Sequence, residues 1–270
     1  MAIQSIDMTD ETWKRLLALR QRAAARPQAH DPALAVYGPI AEAKGRFVLA
    51  QVGQSLDGRV ATPAGDARDI SGPDGLAHLH RCRALVDAVI VGEHTVSADD
   101  PRLSVRLVAG PSPVRVVIDC HARLTGTESL FSDGGAPVIV FRSAEAEGAP
   151  LGNAEVVRLS PCENGLATKD ILDALGARGL DRILVEGGAR TIARFIEAGL
   201  VNRLHVAVSP IIIGSGPSGI SLPPIERLAS AHRPDTKVYS LGSDILFDCL
   251  LKPGSPSPSK GDEVQVTDFA

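Results

Sequence analysis

The sequence predicts an α/β fold in which helices cover both faces of a mostly parallel sheet. Short, wholly apolar runs of strand length alternate with helical stretches along most of the 270 residues. Strands that are apolar throughout suit a sheet buried on both faces, and strand–helix alternation is typical of parallel connections. Two late apolar runs, separated by only a short turn, add an antiparallel hairpin at one edge.

The N-terminal region is predicted as a helix followed by a connector. Thr9 suits an N-cap, and Trp13 and Leu16 share one face of a helix that runs to about Ala25. The segment Pro27–Gly45 is rich in Ala, Pro and Gly and is predicted to be irregular. We expect the helix to pack on the main domain or on a partner subunit.

Six strands, three helices and the hairpin follow. The strands are Phe47–Val52, Ala88–Val91, Val114–Ile118, Val138–Phe141, Ile183–Val185 and Leu204–Ile213. The helices are Pro73–Leu85, Lys169–Ala177 and Ala189–Ala198, the first of which has proline at a favoured early position. The hairpin joins Lys237–Leu241 to Ile245–Leu251. One domain is therefore predicted over residues 46–252, between the N-terminal helix and connector (1–45) and a disordered tail (253–270) rich in Ser, Pro and charge.

The charge and the cysteine content exclude several classes of function. A net charge of −4 and a pI near 6.0 argue against a surface that neutralises nucleic-acid phosphates or anionic lipid. The four cysteines are far apart and form no CxxC pair of the kind that holds zinc. The N-terminus lacks the layout of a signal peptide, and no apolar run approaches the roughly 18 residues of a membrane span, so cytoplasm is the expected location.

Three strand ends carry polar segments that could contribute to a site. The first is Gln51–Arg59, where Gly53 could let a flat ring approach the backbone. The pair Asp57-Gly58 within it is the pattern of a tight turn, and spacing alone favours the turn over a ligand site.

The second segment follows Gly92 and is predicted to be a polar loop beyond the end of a buried strand. Ligands bind at such positions in open α/β sheets. Asp99 and Asp100 are adjacent, so their side chains point in different directions in an extended loop, and Asp100 before Pro101 is typical of a turn. Only Asp99 is predicted to accept a hydrogen bond from a ligand.

The third segment is the strand end at Glu186, followed by Gly187-Gly188 and a helical pattern. Glycines at such a junction let a pyrophosphate reach N–H groups at the positive end of the helix. Two glycines can equally make a tight turn and nothing more. A carboxylate at a strand end is costly to bury without a donor, so Glu186 is exposed, bound to a ligand or satisfied by turn amides.

The remaining motifs are weaker, although a glycine-rich loop can still border a ligand. The segment Gly214–Gly219 spells GxGxxG, but the prolines that follow cannot open the helix that a dinucleotide fingerprint requires, so a loop is predicted. His78 and His80 stand two apart on a predicted helix and face differently, no HExxH exists, and we predict no metal site. The zinc deaminase signature and the GxSxG elbow of hydrolases are both missing.

Five ordered segments resemble the reductase domain of the bifunctional riboflavin-biosynthesis deaminase-reductase, the RibD family, in the dihydrofolate-reductase-like superfamily. They are SLDGR (55–59), TVSADDPRLSVR (95–106), VRVVID (114–119), VEGGAR (185–190) and AVSPIIIG (207–214). The resemblance implies a three-layer dihydrofolate-reductase-like fold and a homodimer. It also implies that NADPH reduces 5-amino-6-(5-phosphoribosylamino)uracil by hydride transfer to the ribose C1, while the protein mainly orients the two molecules.

The resemblance further implies which residues line the site. The implied NADPH-binding residues, with Cys120 near the adenosine end, are Gly53, Thr95, Asp99, Cys120, Gly188, Ala189, Arg190, Thr191 and Ile192. The implied substrate-binding residues are Arg83, Leu103, Arg106 and Glu186. Arg83 and Arg106 suit a substrate phosphate. Arg123 and Arg142 follow apolar strands and are candidates for the 2′-phosphate of the cofactor; no catalytic residue is predicted.

One segment departs from the family pattern. Where relatives usually read close to GDSRWIT, Gly65–Ser71 carries Ala67 and Asp69 in place of a serine and an aromatic residue. This change removes a stacking surface and adds a negative charge. Two alternatives therefore stay open: a reductase of another pterin-like or pyrimidine-like compound, and a non-catalytic nucleotide-binding protein.

Overall fold

The computed structural model describes residues 3–22 and 31–251 of the chain. The strands are β1 (Gln4–Ser5), β2 (Phe47–Ser55), β3 (Ala88–Gly92), β4 (Val114–Ile118), β5 (Val138–Ser143), β6 (Glu155–Leu159), β7 (Pro161–Cys162), β8 (Gly165–Leu166), β9 (Arg182–Glu186), β10 (Arg203–Ser209), β11 (Asp235–Leu241) and β12 (Asp244–Leu250). The helices are α1 (Asp10–Arg20), α2 (Pro32–Glu42), α3 (Pro73–Leu85), α4 (Glu93–Asp99), α5 (Thr168–Gly176) and α6 (Ala189–Glu197). The predicted disordered tail lies outside the described residues.

Ten of the described strands form one sheet in the order β1-β11-β12-β10-β2-β9-β3-β4-β5-β6. From β10 to β6 all neighbours are parallel, whereas β12 is antiparallel to both β10 and β11. The two-residue β1 adds a parallel partner outside the hairpin. The mostly parallel sheet and the antiparallel hairpin near one edge are therefore confirmed.

Helices cover both faces of this sheet, which gives three layers. Side chains alternate between faces along a strand, so Leu49 and Leu184 pack in one core with α1, α2 and α3. Val48 and Ile183 point the other way and pack in a second core with α5 and α6. No helix among the described residues is both long and apolar enough to cross a bilayer.

The N-terminal helix packs on the main domain. Thr9 caps α1 as predicted, since its hydroxyl accepts a hydrogen bond from the Thr12 amide at 3.1 Å. Leu16 is fully buried, and the Trp13 indole donates to the Ala109 carbonyl at 2.8 Å. Of the two packing partners expected for this helix, the structure shows the main domain.

The prediction of an irregular connector over Pro27–Gly45 is wrong for the residues of α2. Asp31 caps this helix through its side chain, and the proline after it takes the first helical position. Pro39 inside the helix lacks the N–H that would bond to the Ala35 carbonyl, and Arg203 donates to that carbonyl at 3.4 Å instead. Because α2 is buried on most sides, it has no polar face to mark it as a helix.

Candidate functional site

The parallel strands end at one edge of the sheet, and the predicted site residues lie at that edge. β2 ends at Ser55, β9 at Glu186 and β3 at Gly92. Gly92 of β3 pairs with Ile118, the last residue of β4, while Glu186 pairs with Gln51, so β2 continues four residues beyond the end of β9. This is the edge at which an open α/β sheet binds its ligands.

Gly187 and Gly188 connect β9 to α6 through a backbone conformation that glycine adopts readily. Their φ angles are 72° and 74°. Gly188 is the N-cap residue of α6 and is exposed, and no side chain caps the helix. The first amides of a helix have no acceptor within the helix. The junction therefore presents main-chain N–H groups at the positive end of α6, as predicted.

Two threonine hydroxyls lie against these glycines. A Cβ atom on Gly188 would stand 3.1 Å from Thr191 Oγ1 and 3.3 Å from Thr95 Oγ1, and one on Gly92 would stand 2.8 Å from Thr191 Oγ1. A Cβ on Gly187 would meet the Thr95 methyl at 3.1 Å. Only glycine fits this arrangement without displacing the threonines. Hydroxyls and helix amides gathered in one place suit an anionic group such as a phosphate.

The other predicted cofactor residues on this side have different surroundings. Arg190 is exposed on the first turn of α6, whereas Ile192 is fully buried in the second core and its amide donates to the Gly188 carbonyl at 3.1 Å. Cys120 is half-buried beyond β4; burial raises the pKa of its thiol and the nearby Arg194 of α6 opposes that rise. The structure thus brings Cys120 next to α6.

The lack of a side chain at Gly53 leaves room for Ser71 of the same chain. A Cβ atom there would lie 2.8 Å from Ser71 Oγ. Ser71 ends the segment that departs from the family pattern, and both Ala67 and Asp69 of that segment are exposed. The chemically altered segment therefore lies next to the strand residue that was predicted to face a flat ring.

The Asp57-Gly58 pair is a tight turn, and it also anchors a loop. The Ser55 hydroxyl donates to Asp57 Oδ1 at 2.6 Å, and the amides of Ile213 and Gly214 donate to the same carboxylate at 3.1 and 2.6 Å. These hydrogen bonds lower the pKa of Asp57 to about 2. The GxGxxG segment that begins at Gly214 is a loop, as predicted.

A cavity of about 410 Å³ lies beyond α4, and it brings most of the predicted substrate residues together. Its lining residues are Arg83, Asp99, Asp100, Pro101, Arg102, Leu103 and Arg106. Asp99, which was predicted to bind the cofactor, lies in this same cavity. Arg102 was not singled out from the sequence, although it stands directly between Pro101 and Leu103. Three guanidinium groups in one cavity suit a phosphate or another dianion.

The predicted polar loop after Gly92 contains a helix, which corrects the sequence analysis. α4 has seven residues and ends at Asp99. Asp100 follows in the left-handed region (φ 41°), and its carboxylate accepts a hydrogen bond from the Ser129 amide at 2.8 Å. Leu103, also left-handed (φ 54°), is buried. Non-glycine residues in this region cost about 1–2 kcal/mol each, and such strain is concentrated at functional sites.

Glu186 is bound by an arginine, not by turn amides. Arg83 Nε donates to Glu186 Oε1 at 2.8 Å, and both side chains are buried. The Arg83 Nη1 atom donates to the Ser104 carbonyl at 3.1 Å. Glu186 offsets the charge of Arg83, and the exposed Arg102 and Arg106 share the cavity with the carboxylates of Asp99 and Asp100.

Of the two arginines suggested for a 2′-phosphate, one is contradicted. Arg142 is 1% exposed, and its guanidinium contacts the Asp119 carboxylate and two main-chain carbonyls. It has no surface left on which a phosphate could bind. Arg123 has a side chain 66% exposed and pairs with Glu93 at 3.0 Å.

His80, which lies next to the cavity, is expected to make the stability of the protein depend on pH. Its Nδ1 accepts a hydrogen bond from the Arg106 amide at 3.1 Å, and burial, Arg83 and Arg106 lower its pKa to about 4. The unfolded chain binds this proton at about 6.5, so the folded state resists protonation. We expect the contribution of His80 to the free energy of unfolding to be complete above about pH 6.5. This contribution should be lost as the pH falls from 6.5 towards 4.

The variant His80→Asn keeps an acceptor for the Arg106 amide and removes the titration. We expect the slope of its unfolding free energy against pH, measured by urea denaturation at several pH values, to be smaller than that of the wild type. The difference should reach up to about 1.4 kcal/mol per pH unit in this window. Equal slopes in the two proteins would show that His80 is not the group responsible.

Comparison with known proteins agrees with this geometry. The family described as the RibD C-terminal domain matches residues 46–247. The 2,5-diamino-6-ribosylamino-4(3H)-pyrimidinone 5′-phosphate reductase of Methanothermobacter thermautotrophicus is 34% identical over 215 residues, which are 76% of this chain and 98% of that protein. The riboflavin biosynthesis protein RibD of Bacillus amyloliquefaciens is 29% identical over 225 residues, which are 81% of this chain but only 60% of that protein.

Solved structures confirm the fold. A deaminase/5-amino-6-(5-phosphoribosylamino)uracil reductase of Thermotoga maritima matches with a TM-score of 0.68 at 28% identity, covering 80% of this chain and 60% of that one. A riboflavin biosynthesis reductase of Saccharomyces cerevisiae matches with a TM-score of 0.64 at 24% identity, over 81% of this chain and 97% of that one. The predicted three-layer, dihydrofolate-reductase-like architecture is therefore correct.

Proposed function

Because the chain belongs to the RibD C-terminal domain family, we propose that it is an NADPH-dependent reductase of a 5-phosphoribosylamino-pyrimidine. The substrate is 5-amino-6-(5-phosphoribosylamino)uracil or its diamino-pyrimidinone counterpart, the two compounds for which relatives are named. The observation that carries the proposal is the pairing of two anion sites at one edge of the sheet. One is the glycine–threonine junction at the start of α6, and the other is the arginine-lined cavity.

The junction holds the phosphates of the cofactor. The hydroxyls of Thr95 and Thr191 and the first amides of α6 donate to the phosphate oxygens, and the exposed Arg190 adds positive charge. NADPH, when bound, supplies the hydride. Arg123 is the proposed contact of the 2′-phosphate, because its side chain is exposed near the end of β4.

The cavity holds the substrate. Arg102 and Arg106 bind its phosphate, and Arg83 adds a third guanidinium that is already fixed in place. Asp99 accepts a hydrogen bond from the ribose or the pyrimidine; burial raises the pKa of this carboxyl, and His94 opposes the rise. Glu186 acts through Arg83, so it is a positioning residue in this proposal. The protein thus contributes orientation, which can supply much of the rate when the cofactor carries the chemistry.

An NADPH oxidation assay tests the proposal. We expect both Arg102→Ala and Arg106→Ala to raise the KM for the pyrimidine substrate by about 10–100-fold, because each charge-assisted hydrogen bond contributes about 1.5–3 kcal/mol. The Kd for NADPH should stay unchanged. Arg46→Ala is the control, since Arg46 pairs with the exposed Asp173 at the opposite edge of the sheet.

Two outcomes would contradict the assignment. One is a protein that binds NADPH but oxidises it with neither pyrimidine, and the other is an Arg106→Ala variant that binds NADPH more weakly with an unchanged KM for the pyrimidine. A reductase of another pyrimidine-like or pterin-like compound is the second candidate, because the segment Gly65–Ser71, which departs from the family resemblance, leaves Asp69 exposed. NADPH oxidation by such a compound, with both ribosyl phosphates inactive, would favour it.

We also propose that the protein is a homodimer, because dimers with two-fold symmetry are the commonest oligomers of soluble proteins. Sedimentation velocity should give one species at twice the 28.3 kDa chain mass. A monomer at micromolar concentration would contradict this proposal. The cytoplasmic location stays a prediction.

A further inference from the structure

Three buried side chains converge between α3 and the sheet, next to Arg83. Cys82 Sγ lies 3.7 Å from His78 Nε2 and 3.9 Å from His205 Nδ1. His78 and Cys82 are four residues apart and share one face of α3. His205 reaches them from β10, and all three residues are fully buried.

We propose that His78, Cys82 and His205 bind a Zn²⁺ ion. With Zn–S near 2.3 Å and Zn–N near 2.05 Å, a sulfur and a nitrogen on the same ion stand about 3.6 Å apart in tetrahedral geometry and about 3.8 Å apart in trigonal geometry. The two measured S–N separations are 3.7 and 3.9 Å. The three ligand atoms all lie within 4.8 Å of one another. The two sulfur–nitrogen separations therefore fit ligands of one ion, and a fourth ligand would complete a tetrahedral site.

The second nitrogen of each imidazole faces a polar partner. His78 Nδ1 lies 2.8 Å from the Tyr37 hydroxyl, and His205 Nε2 lies 3.4 Å from Asp248 Oδ1. Histidines that bind metals are usually fixed in this way, with one nitrogen on the ion and the other donating to an oxygen. Asp248 is itself held by Arg203 at 3.0 Å. His78 therefore has a hydrogen-bonding outer partner, whereas His205 and Asp248 lie close together without hydrogen-bond geometry.

Without an ion, the Cys82 thiol can donate its single proton to one histidine nitrogen and accept from the other, so hydrogen bonds also account for the two short sulfur–nitrogen contacts. An ion would replace these two weak contacts with three ligand bonds. Among the described residues, His205 Nε2 and both Asp248 oxygens make no hydrogen bond. An ion on His205 Nδ1 would keep the proton on Nε2, directed at Asp248.

The ion would join α3 to β10. This connection fixes the helix that also carries Arg83, so the site has a structural role and is separate from the proposed reductase chemistry. Because metal binding to such a site is coupled to folding, the ion should enter while the chain folds.

The test uses Co²⁺ as a spectroscopic substitute for Zn²⁺. The full chain is unfolded in denaturant that contains a chelator. Both are removed, and the chain is refolded with Co²⁺ as the only added metal. We expect one Co²⁺ per chain and a thiolate-to-cobalt charge-transfer band that Zn²⁺ removes. Cys82→Ser should lose the band, and His205→Gln should weaken Co²⁺ binding by at least about tenfold. Cys249→Ser is the matched control, because Cys249 is also buried but contacts Thr236 instead of a histidine.

Three results would overturn the proposal. They are refolding of the wild-type chain without uptake of Co²⁺, an unchanged band in Cys82→Ser, and loss of the band in Cys249→Ser alone. If Cys82→Ser does not refold, as judged by circular dichroism, the wild-type band and the His205→Gln titration decide the question.

Discussion

Replacing Arg83 with methionine is expected to lower the free energy of unfolding by about 3–5 kcal/mol. Arg83 Nε donates to Glu186 at 2.8 Å, and the two side chains are only 9% and 4% exposed. Removing the guanidinium leaves the Glu186 carboxylate buried at the end of β9 without its cation, which is costly. Urea denaturation at neutral pH measures the loss.

The double variant Arg83→Met/Glu186→Leu separates stability from binding. It should recover most of the lost stability, because no charge is left buried, but it should still bind the pyrimidine phosphate poorly. Arg123→Met is the matched control: its ion pair with Glu93 is exposed, so a loss of less than about 1 kcal/mol is expected. A similarly small loss for Arg83→Met would contradict the account of a buried, mutually dependent pair.

Replacing Gly188 with alanine is expected to weaken NADPH binding by at least about tenfold, which corresponds to about 1.4 kcal/mol. The added Cβ would meet Thr191 Oγ1 at 3.1 Å and Thr95 Oγ1 at 3.3 Å. Displacing these hydroxyls removes two of the proposed donors to the cofactor. The φ of 74° adds a strain of about 1–2 kcal/mol to any residue with a side chain. Fluorescence titration with NADPH measures the affinity.

Gly179→Ala controls for the strain. Gly179 has a φ of 73°, but a Cβ atom there has nothing within 4 Å, and it lies before β9 at the other edge of the sheet. Both variants should lose a similar amount of stability, and only Gly188→Ala should lose NADPH affinity. If both variants bound NADPH equally well, the junction would not be the cofactor site.

Much of the fold was predictable because its central strands are apolar on both faces. β3, β4 and β9 lie within a residue of their predicted bounds, and each is almost wholly buried. The glycine pair after β9 was predictable for a different reason. A strand that turns at once into a helix needs backbone angles that glycine adopts most readily.

Elements without a clear hydrophobic period were missed. α2 is apolar on most sides and contains a proline, so its composition looks like that of a connector. α4 has seven residues and buries only Val96. β6 is an edge strand whose side chains are mostly exposed. Periodicity predicts an element only when one face is buried over several turns or pleats.

The arginine-lined cavity was predictable only as far as the resemblance extended. It assigned Arg83 and Glu186 to one site, but not their direct contact, which joins residues 103 positions apart. The cluster around Cys82 was missed for the same reason, since His205 is 123 positions away. The pairing of β10 with β2 and β12 decides where His205 points, and the local sequence pattern does not contain that register.

Transfer of deuterium from labelled NADPH tests the central claim most directly. The chain is incubated with NADPH in which both hydrogens on C4 of the nicotinamide are replaced by deuterium. The second reactant is 5-amino-6-(5-phosphoribosylamino)uracil or its diamino-pyrimidinone counterpart. Mass spectrometry should find a single deuterium in the ribityl product, at the former ribose C1. Bound but unoxidised NADPH, with no labelled product from either compound, would contradict the account.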